Sequence, residues 1–328
     1  MIEQLASTTP EEERLIDSLR ASSWQEFYGQ EKIKRAITIG TCAAAKRSQA
    51  LDHVLLYGPP GLGKTTLAHL IAHEMNSNIK ITSGTALSKT GDLAAILTSL
   101  EEKDILFIDE IHRLPKTIEE TLYPAMEDYA LDIVLGKGAS ARTVRLDLPH
   151  FTLVGATTRF GALSGPFRDR FGLIYRLNFY PLEELTIILQ KAAQKLKLPP
   201  LDKTTAALIA TRGRGTPRIA LKLLKRVRDF VEVNFAGQIT PEIATQALDL
   251  LEVDQLGLTE HDRFFLTTLI NKHRGGPVGL STIAATISED ALTIEEVIEP
   301  YLLQIGFLQK TPKGRLVSKA AYQHLGIK

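Results

Sequence analysis

Cys42 is the only cysteine in 328 residues, so the chain can form neither an internal disulfide nor a thiolate metal site. Its eight histidines are scattered, with no HExxH-type spacing, and no structural metal is expected. No apolar run approaches the roughly 18 residues that span a bilayer. The opening MIEQLASTTPEEERLIDSLR is acidic where a signal peptide would be basic and then apolar. A cytoplasmic protein with no membrane contact is expected. Excess charge is missing as well: 39 basic and 38 acidic residues leave +1, so any nucleic-acid surface must come from local clustering. The sequence carries no internal repeats or low-complexity tracts. What is there is an ordinary globular composition, 44% hydrophobic and 23% charged, long enough for two or three domains.

Residues 58–65 read GPPGLGKT and follow the apolar run His53–Tyr57. Strand, glycine-rich loop and apolar-periodic helix (Leu67, Leu70, Ile71) come in the order that cradles a polyphosphate. Gly58, Gly61 and Gly63 let backbone N–H groups face one centre at dihedrals that side chains would forbid. Lys64 reaches the β- and γ-phosphates, the Thr65 hydroxyl can ligate Mg²⁺, and the helix start adds partial positive charge. A nucleoside triphosphate is the expected ligand.

From about Trp24 to Pro181, helical and strand patterns alternate: helix 29–48, strand 53–57, helix 64–75, strand 79–82, helix 91–100, strand 104–108, helix 117–128, strand 151–156. Such alternation predicts an α/β domain, residues 1–181, with a parallel sheet flanked by helices and nucleotide at the strands' carboxyl ends. The stretch 131–148 breaks the rhythm as a β-hairpin, Leu131–Leu135 and Arg142–Leu146 around GKGASA. It reads either as a solubilised excursion or as a contact arm offering Ile133, Val134, Leu135 and Val144. After Tyr180-Pro181 strand signals stop, and four helices over 182–253 predict a small all-α domain. Charged, loop-like residues then lead into 254–328: three short helices and two strands turning at Pro312-Lys313-Gly314, a winged-helix pattern.

The apolar run Ile105–Ile108 ends in Asp109-Glu110. Downstream of a phosphate loop, Asp109 can hold Mg²⁺ through water while Glu110 orients or deprotonates the attacking water. His112 and Arg113 read as solvated or intersubunit groups. Strand 151–156 leads into Thr157-Thr158-Arg159, whose hydroxyls would lie between the other two motifs. Arg168-Asp169-Arg170 offers either an arginine finger or a local ion-pair network, and the residues alone leave this open. Gly215-Thr216-Pro217-Arg218 begins a long helix, and Arg218 would sense a phosphate if this domain covers the nucleotide. Lys222, Lys225, Arg226 and Arg228 on the same helix read as a solvated face. On the wing, Lys310, Lys313 and Arg315, with Lys319 behind, suit backbone phosphates. The preceding helix carries Glu295, Glu296 and Glu299, unlike helices that read bases.

In this order, the motifs resemble the AAA+ ATPases. Within them the strings GPPGLGKTTLAH, DEIHRL, GATTR, RDRFG, RGTPRIA and GGPVGL…IEPYLLQIGFLQKTPKGR resemble the RuvB family of bacterial Holliday-junction branch-migration motors. The resemblance implies an ATP hydrolase that uses ATP/ADP and Mg²⁺. It assigns Lys64 and Thr65 to Walker A, Asp109 and Glu110 to Walker B, Thr158 to sensor 1, Arg170 to the arginine finger and Arg218 to sensor 2. It places Leu19, Arg20, Tyr28, Gly61, Gly63, Thr66, Tyr180 and Pro217 around the nucleotide, with Glu127, Asp128 and Tyr129. Thr65 and Asp109 would hold Mg²⁺, and Lys310 and Arg315 would contact DNA. The all-α domain becomes a lid and the 131–148 hairpin a dock for RuvA. Implied partners are a homo-hexameric ring, duplex and four-way-junction DNA, a RuvA-like protein and a RuvC-like resolvase. The setting would be recombination, repair and the SOS response. Two departures stand out: Lys310 replaces a usual arginine, losing the bidentate fork, and Ser164-Gly165-Pro166-Phe167 replaces an SPL-type string.

Two other functions compete with a translocase. A nucleotide-switched initiator-type DNA-binding factor would need a base-reading helix, which the acidic helix opposes. A protein-remodelling enzyme would show an aromatic-hydrophobic pore loop, and none appears between the P-loop and Asp109.

Overall fold

The structure, a computed structural model, describes residues 18–135, 142–235 and 238–327. The polar lead-in 1–17, the hairpin turn 136–141 and the side chains of Val134 and Leu135 lie outside the described residues. The chain divides into two compact units, Arg20–Tyr180 and the residues from Pro181 onward; Leu19 groups with the second.

The first unit is built on five parallel strands: β1 Val54–Tyr57, β2 Ile79–Ser83, β3 Ile105–Asp109, β6 Thr152–Thr157 and β7 Leu173–Arg176, in the order β2-β3-β6-β1-β7. The three inner strands are nearly continuous apolar runs because helices cover both faces. Leu106, Ile108, Leu122, Phe151, Leu153 and Phe167 are among the residues packed in the core beneath them. The pair β4 (Ala130–Leu135) and β5 (Arg142–Asp147) forms a separate antiparallel hairpin, with Ile133 opposite Val144. Strand β7 has no counterpart in the sequence reading: it is four residues long, alternates partly buried with exposed positions, and lies at the sheet edge.

His53, just before β1, ties this sheet together. Its Nδ1 accepts the Leu153 N–H at 2.9 Å, so Nε2–H donates to the Met126 carbonyl at 3.1 Å. The ring packs against Tyr129 and Phe151. Burial pulls its pKa below the ordinary 6.5, against the opposing effects of the Met126 hydrogen bond and the Asp52 charge.

In the second unit, helices Leu182–Lys195, Lys203–Arg212, Pro217–Asn234 and Pro241–Leu250 form the lid. Asp202 and Thr240 cap two of these helices, accepting the N–H groups of Thr205 and Ile243. Helices Glu260–His273 and Leu280–Ile287, a helical stretch 291–304, strands β8 (Leu308–Thr311) and β9 (Gly314–Val317) and helix Lys319–His324 form the winged helix around Phe265, Leu269, Leu302 and Phe307. The helical stretch that carries the three glutamates contains a π-helical turn, Ile294–Ile298, in which the Glu299 N–H reaches back five residues to Ile294. Pro300 has no N–H for the regular ladder, and the register shifts just before it.

The expected charged linker is pinned on both sides. Asp254 accepts the N–H groups of Leu256 and Leu258 at 2.9 and 2.8 Å. Arg212 donates to the Val253 carbonyl at 2.7 Å, and Arg214 donates to Gly257 O at 2.7 Å and pairs with buried Asp262. The Arg214 guanidinium also lies 5.0 Å from the centre of the Tyr301 ring. Gly257 holds φ +82° so close to Arg212 that a Cβ would meet its carbonyl oxygen at 2.6 Å. Burial pushes the Tyr301 hydroxyl pKa up to about 12.

Because folding lowers the His53 pKa, the unfolded chain takes up a proton there before the folded one does. Stability should therefore fall as pH drops through 6.5 and level off below the depressed folded value. Urea unfolding at pH 7.5 and 5.5 should show a smaller pH-dependent loss in His53→Gln than in the unmutated chain.

Candidate nucleotide-binding and hydrolysis site

At the carboxyl end of β1 the chain turns sharply into the helix Lys64–Met75. Gly58 makes that turn at φ +143°, where an added Cβ would lie 2.5 Å from Leu177 O. Gly63 caps the helix at φ +98°, and a Cβ there would press on Phe27 at 3.3 Å. Lys64 is buried, and its ammonium donates to the Gly58 and Pro59 carbonyls, both at 2.9 Å. The cation is thus folded over the loop it would serve. Gly61, Thr65 and Thr66 complete the loop and first helical turn, where main-chain N–H groups lack intrahelical acceptors.

The segment carrying Arg20 and Tyr28 runs beside this loop. Phe27 faces Gly63, the Tyr180 hydroxyl donates to Leu62 O at 3.2 Å, and Gln30 exchanges hydrogen bonds with the Asn178 backbone. Phe27 was missed from sequence; a lone Phe carries no signal that it will lie against a glycine. Pro217 and Arg218 lie in the second unit, at the start of their helix behind the N-cap Thr216.

The sheet order sets β6 between β1 and β3. Neighbouring strands lie about 4.8 Å apart, so the P-loop, Thr157-Thr158 and Asp109-Glu110 leave the sheet side by side. Gly58 N–H donates to Thr157 O at 3.2 Å, which ties the P-loop to the middle strand. Glu110 caps the short 3-10 helix Ile111–Arg113 at φ +46°, a left-handed conformation costing about 1–3 kcal/mol. Its Oε2 accepts from Thr158 Oγ1 at 3.2 Å and lies 3.1 Å from His112 Nδ1. Expected to be solvated or intersubunit, His112 instead has a side chain only 5% exposed, 2.9 Å from Thr157 Oγ1. A turn residue two positions after Glu110 folds back under the sheet end, which sequence spacing did not reveal.

Arg170, Glu127, Asp128 and Tyr129 gather elsewhere. Val54 of β1 is in register with Leu173 of β7, and Tyr57 with Arg176. The P-loop leaves the Tyr57 end, whereas Arg170 precedes the Leu173 end and Glu127 follows Met126, held by His53. At ~3.3 Å per residue the four-residue strand alone separates the groups by about 13 Å. The Glu127–Tyr129 segment therefore does not join the P-loop of its own chain. It groups with Arg170, which donates to Glu127 at 3.1 Å and Pro166 O at 2.6 Å and stacks 4.1 Å from the centre of the Tyr123 ring. Arg168 turns to the Phe160 ring, Asp128 pairs with Arg145 at 2.8 Å, and Tyr129 packs on His150.

On the wing, β8 and β9 set Lys310 opposite Arg315. Lys310 is 47% exposed and pairs with Glu295 at 2.9 Å. Arg315 is 11% exposed and forks onto Glu299, itself 1% exposed, at 2.6 and 3.2 Å. The sequence reading made both residues phosphate contacts. The fold gives Arg315 a further task, neutralising a buried carboxylate.

Family models match almost the whole chain: the Holliday junction DNA helicase RuvB P-loop domain over 19–177, the RuvB AAA lid domain over 180–254 and the RuvB C-terminal winged helix domain over 255–326. Among solved structures, the Thermotoga maritima RuvB Holliday junction branch migration motor is 50% identical, covering 95% of this chain and 99% of that one with a TM-score of 0.87. Two mutants of Thermotoga RuvB each match at 51% identity over 94% of this chain and 99% of theirs, with TM-scores of 0.88 and 0.87. A P-loop beside paired carboxylates, a helical lid and a cationic wing thus coincide with that match along the chain, which belongs to the RuvB family of AAA+ ATPases.

Proposed function

We propose that this ATP hydrolase works as a ring, six-membered by family resemblance, that drives Holliday-junction branch migration in recombination and repair in the bacterial cytoplasm. The observation that carries the reading is the placement of Arg170 at the opposite end of the sheet from Lys64 and Glu110. One protomer cannot bring its own Arg170 to its own γ-phosphate through a packed sheet; a neighbour can. In a ring, Arg170 and the Glu127–Tyr129 segment of one copy meet the nucleotide of the next.

Within a site, Lys64 and the loop N–H groups hold the β- and γ-phosphates, and Glu110 orients or deprotonates the attacking water beside Thr158. Thr65 and Asp109 fit Mg²⁺, an ion that commonly takes one or two protein oxygens along with phosphates and water. Held by Thr65 and Asp109, such an ion would supply positive charge to offset the charge that develops on the transferred phosphoryl group. Leu19, Arg20, Tyr28, Tyr180 and Pro217 surround the base and sugar, and Arg218 reports the γ-phosphate to the lid. Lid rotation carries the wing along duplex DNA, while the 131–148 hairpin docks a RuvA-like protein and a RuvC-like resolvase joins the complex. An initiator-type DNA-binding factor is disfavoured because Glu295 and Glu299, on the helix that would read bases, are engaged with Lys310 and Arg315.

Lys64→Ala and Arg170→Ala should each lower ATP turnover by about 10³-fold or more. An equimolar mixture should recover turnover, since Lys64→Ala copies lend an intact finger to Arg170→Ala copies with intact loops; no recovery would refute hydrolysis between protomers. Synthetic four-way junctions should migrate with ATP and a RuvA-like protein but not with a non-hydrolysable analogue. Deleting 133–145 should keep basal turnover and abolish stimulation by that partner.

Lys310→Ala should weaken duplex binding equally across sequences and reduce the salt slope by about 1, with a smaller loss of stability than Arg315→Ala because its contact with Glu299 is the longer one, 3.6 Å. Arg315→Ala should lower unfolding free energy by about 3 kcal/mol, because buried Glu299 would lose its forked partner and keep only half-exposed Lys310 at 3.6 Å. Urea unfolding beside fluorescence-anisotropy titrations separates the two effects.

A further inference from the structure

A carboxylate that activates water needs one oxygen available to the water and its plane fixed by whatever holds the other. In this chain two groups converge on a single oxygen of Glu110, Oε2: Thr158 Oγ1 at 3.2 Å and His112 Nδ1 at 3.1 Å. An ionised carboxylate only accepts hydrogen bonds, so the contact with the ring is attractive when Nδ1 carries its proton. Nδ1 is also 2.9 Å from Thr157 Oγ1, an oxygen that accepts the Arg159 N–H at 2.9 Å. The ring therefore spans from Glu110 to the strand end that carries Thr158. Its side chain is 5% exposed, so solvent does not substitute for it freely.

We propose that His112 is a positioning residue for ATP hydrolysis: hydrogen-bonded through Nδ1 to Thr157 Oγ1 and in 3.1 Å contact with Glu110 Oε2, it clamps the carboxylate at the Thr157-Thr158 strand end and leaves Oε1 to face the attacking water. This rests on the reading of Glu110 as the group that activates water. Without the clamp the carboxylate keeps its charge but gains torsional freedom. The loss then falls on the chemical step and spares nucleotide binding, because Lys64 and the loop are untouched.

The test compares His112→Ala, His112→Asn and both in a Glu110→Gln background. ATP turnover is measured as kcat and KM, single-turnover hydrolysis is followed for the slow variants, and affinity is measured with a fluorescent ADP analogue. His112→Ala should lower kcat by about 10²-fold, the loss typical of a misplaced reacting group, with KM and ADP affinity unchanged. Asn places an amide N–H near the position of Nδ1 and should recover much of the rate. In Glu110→Gln, removal of His112 should cost nothing further. Unchanged kcat in His112→Ala, equal impairment in the Ala and Asn variants, loss of ADP affinity along with kcat, or an additive loss on top of Glu110→Gln would each overturn the proposal. Wild-type hydrolysis by Glu110→Gln alone would instead refute the assignment of Glu110, an outcome read independently of His112.

Discussion

A parallel sheet delivers every strand's carboxyl end to the same side, and strand order decides which ends become neighbours. Here the order β3-β6-β1 sets three chemically distinct termini in a row: two carboxylates, two hydroxyls and a phosphate loop. The hydrogen bond from Gly58 to Thr157 and the contact of Thr158 with Glu110 link them laterally. These contacts require the inner strands to hold register, which depends on the buried runs of β1, β3 and β6 and on His53 at their opposite end. The same constraint keeps Arg170 away from its own loop, since a residue ahead of β7 cannot reach past the strand it introduces.

Much of this was legible in the sequence because local chemistry and fold agree there. The P-loop, the inner strands and the lid helices each combine a strong hydrophobic period with end signals: glycines at positive φ, Asp202 and Thr240 as caps, Pro217 at a helix start. What escaped notice depends on packing between distant segments. Strand β7 is too short and too exposed to announce itself. The burial of His112 follows from a turn folding under the sheet, and Phe27 meets Gly63 from the far side of the loop. Glu127–Tyr129 was grouped with the nucleotide, and only strand register reveals at which end of the sheet it stands.

The wing shows how a sequence reading can treat two residues alike and miss what the fold does with one of them. Lys310 and Arg315 look alike as cations on a hairpin. The π-turn before Pro300 brings Glu295 and Glu299 beneath them, and the two cations divide the work there: half-exposed Lys310 pairs with Glu295 and lies 3.6 Å from Glu299, while Arg315 forks directly onto that buried acid. Charge on this surface is therefore largely balanced within the domain, consistent with a chain whose overall charge is only +1. Attraction to a phosphate backbone would come from the few cations that project outward, and it would be sensitive to salt.

The connector between lid and winged helix has a thermodynamic consequence. With Asp254, Gly257, Arg212, Arg214 and Asp262 joined across it, neither side can lose its structure without stranding groups on the other. Calorimetry should accordingly record one joint melting transition for everything after Pro181, and a cut within 254–258 should split it in two.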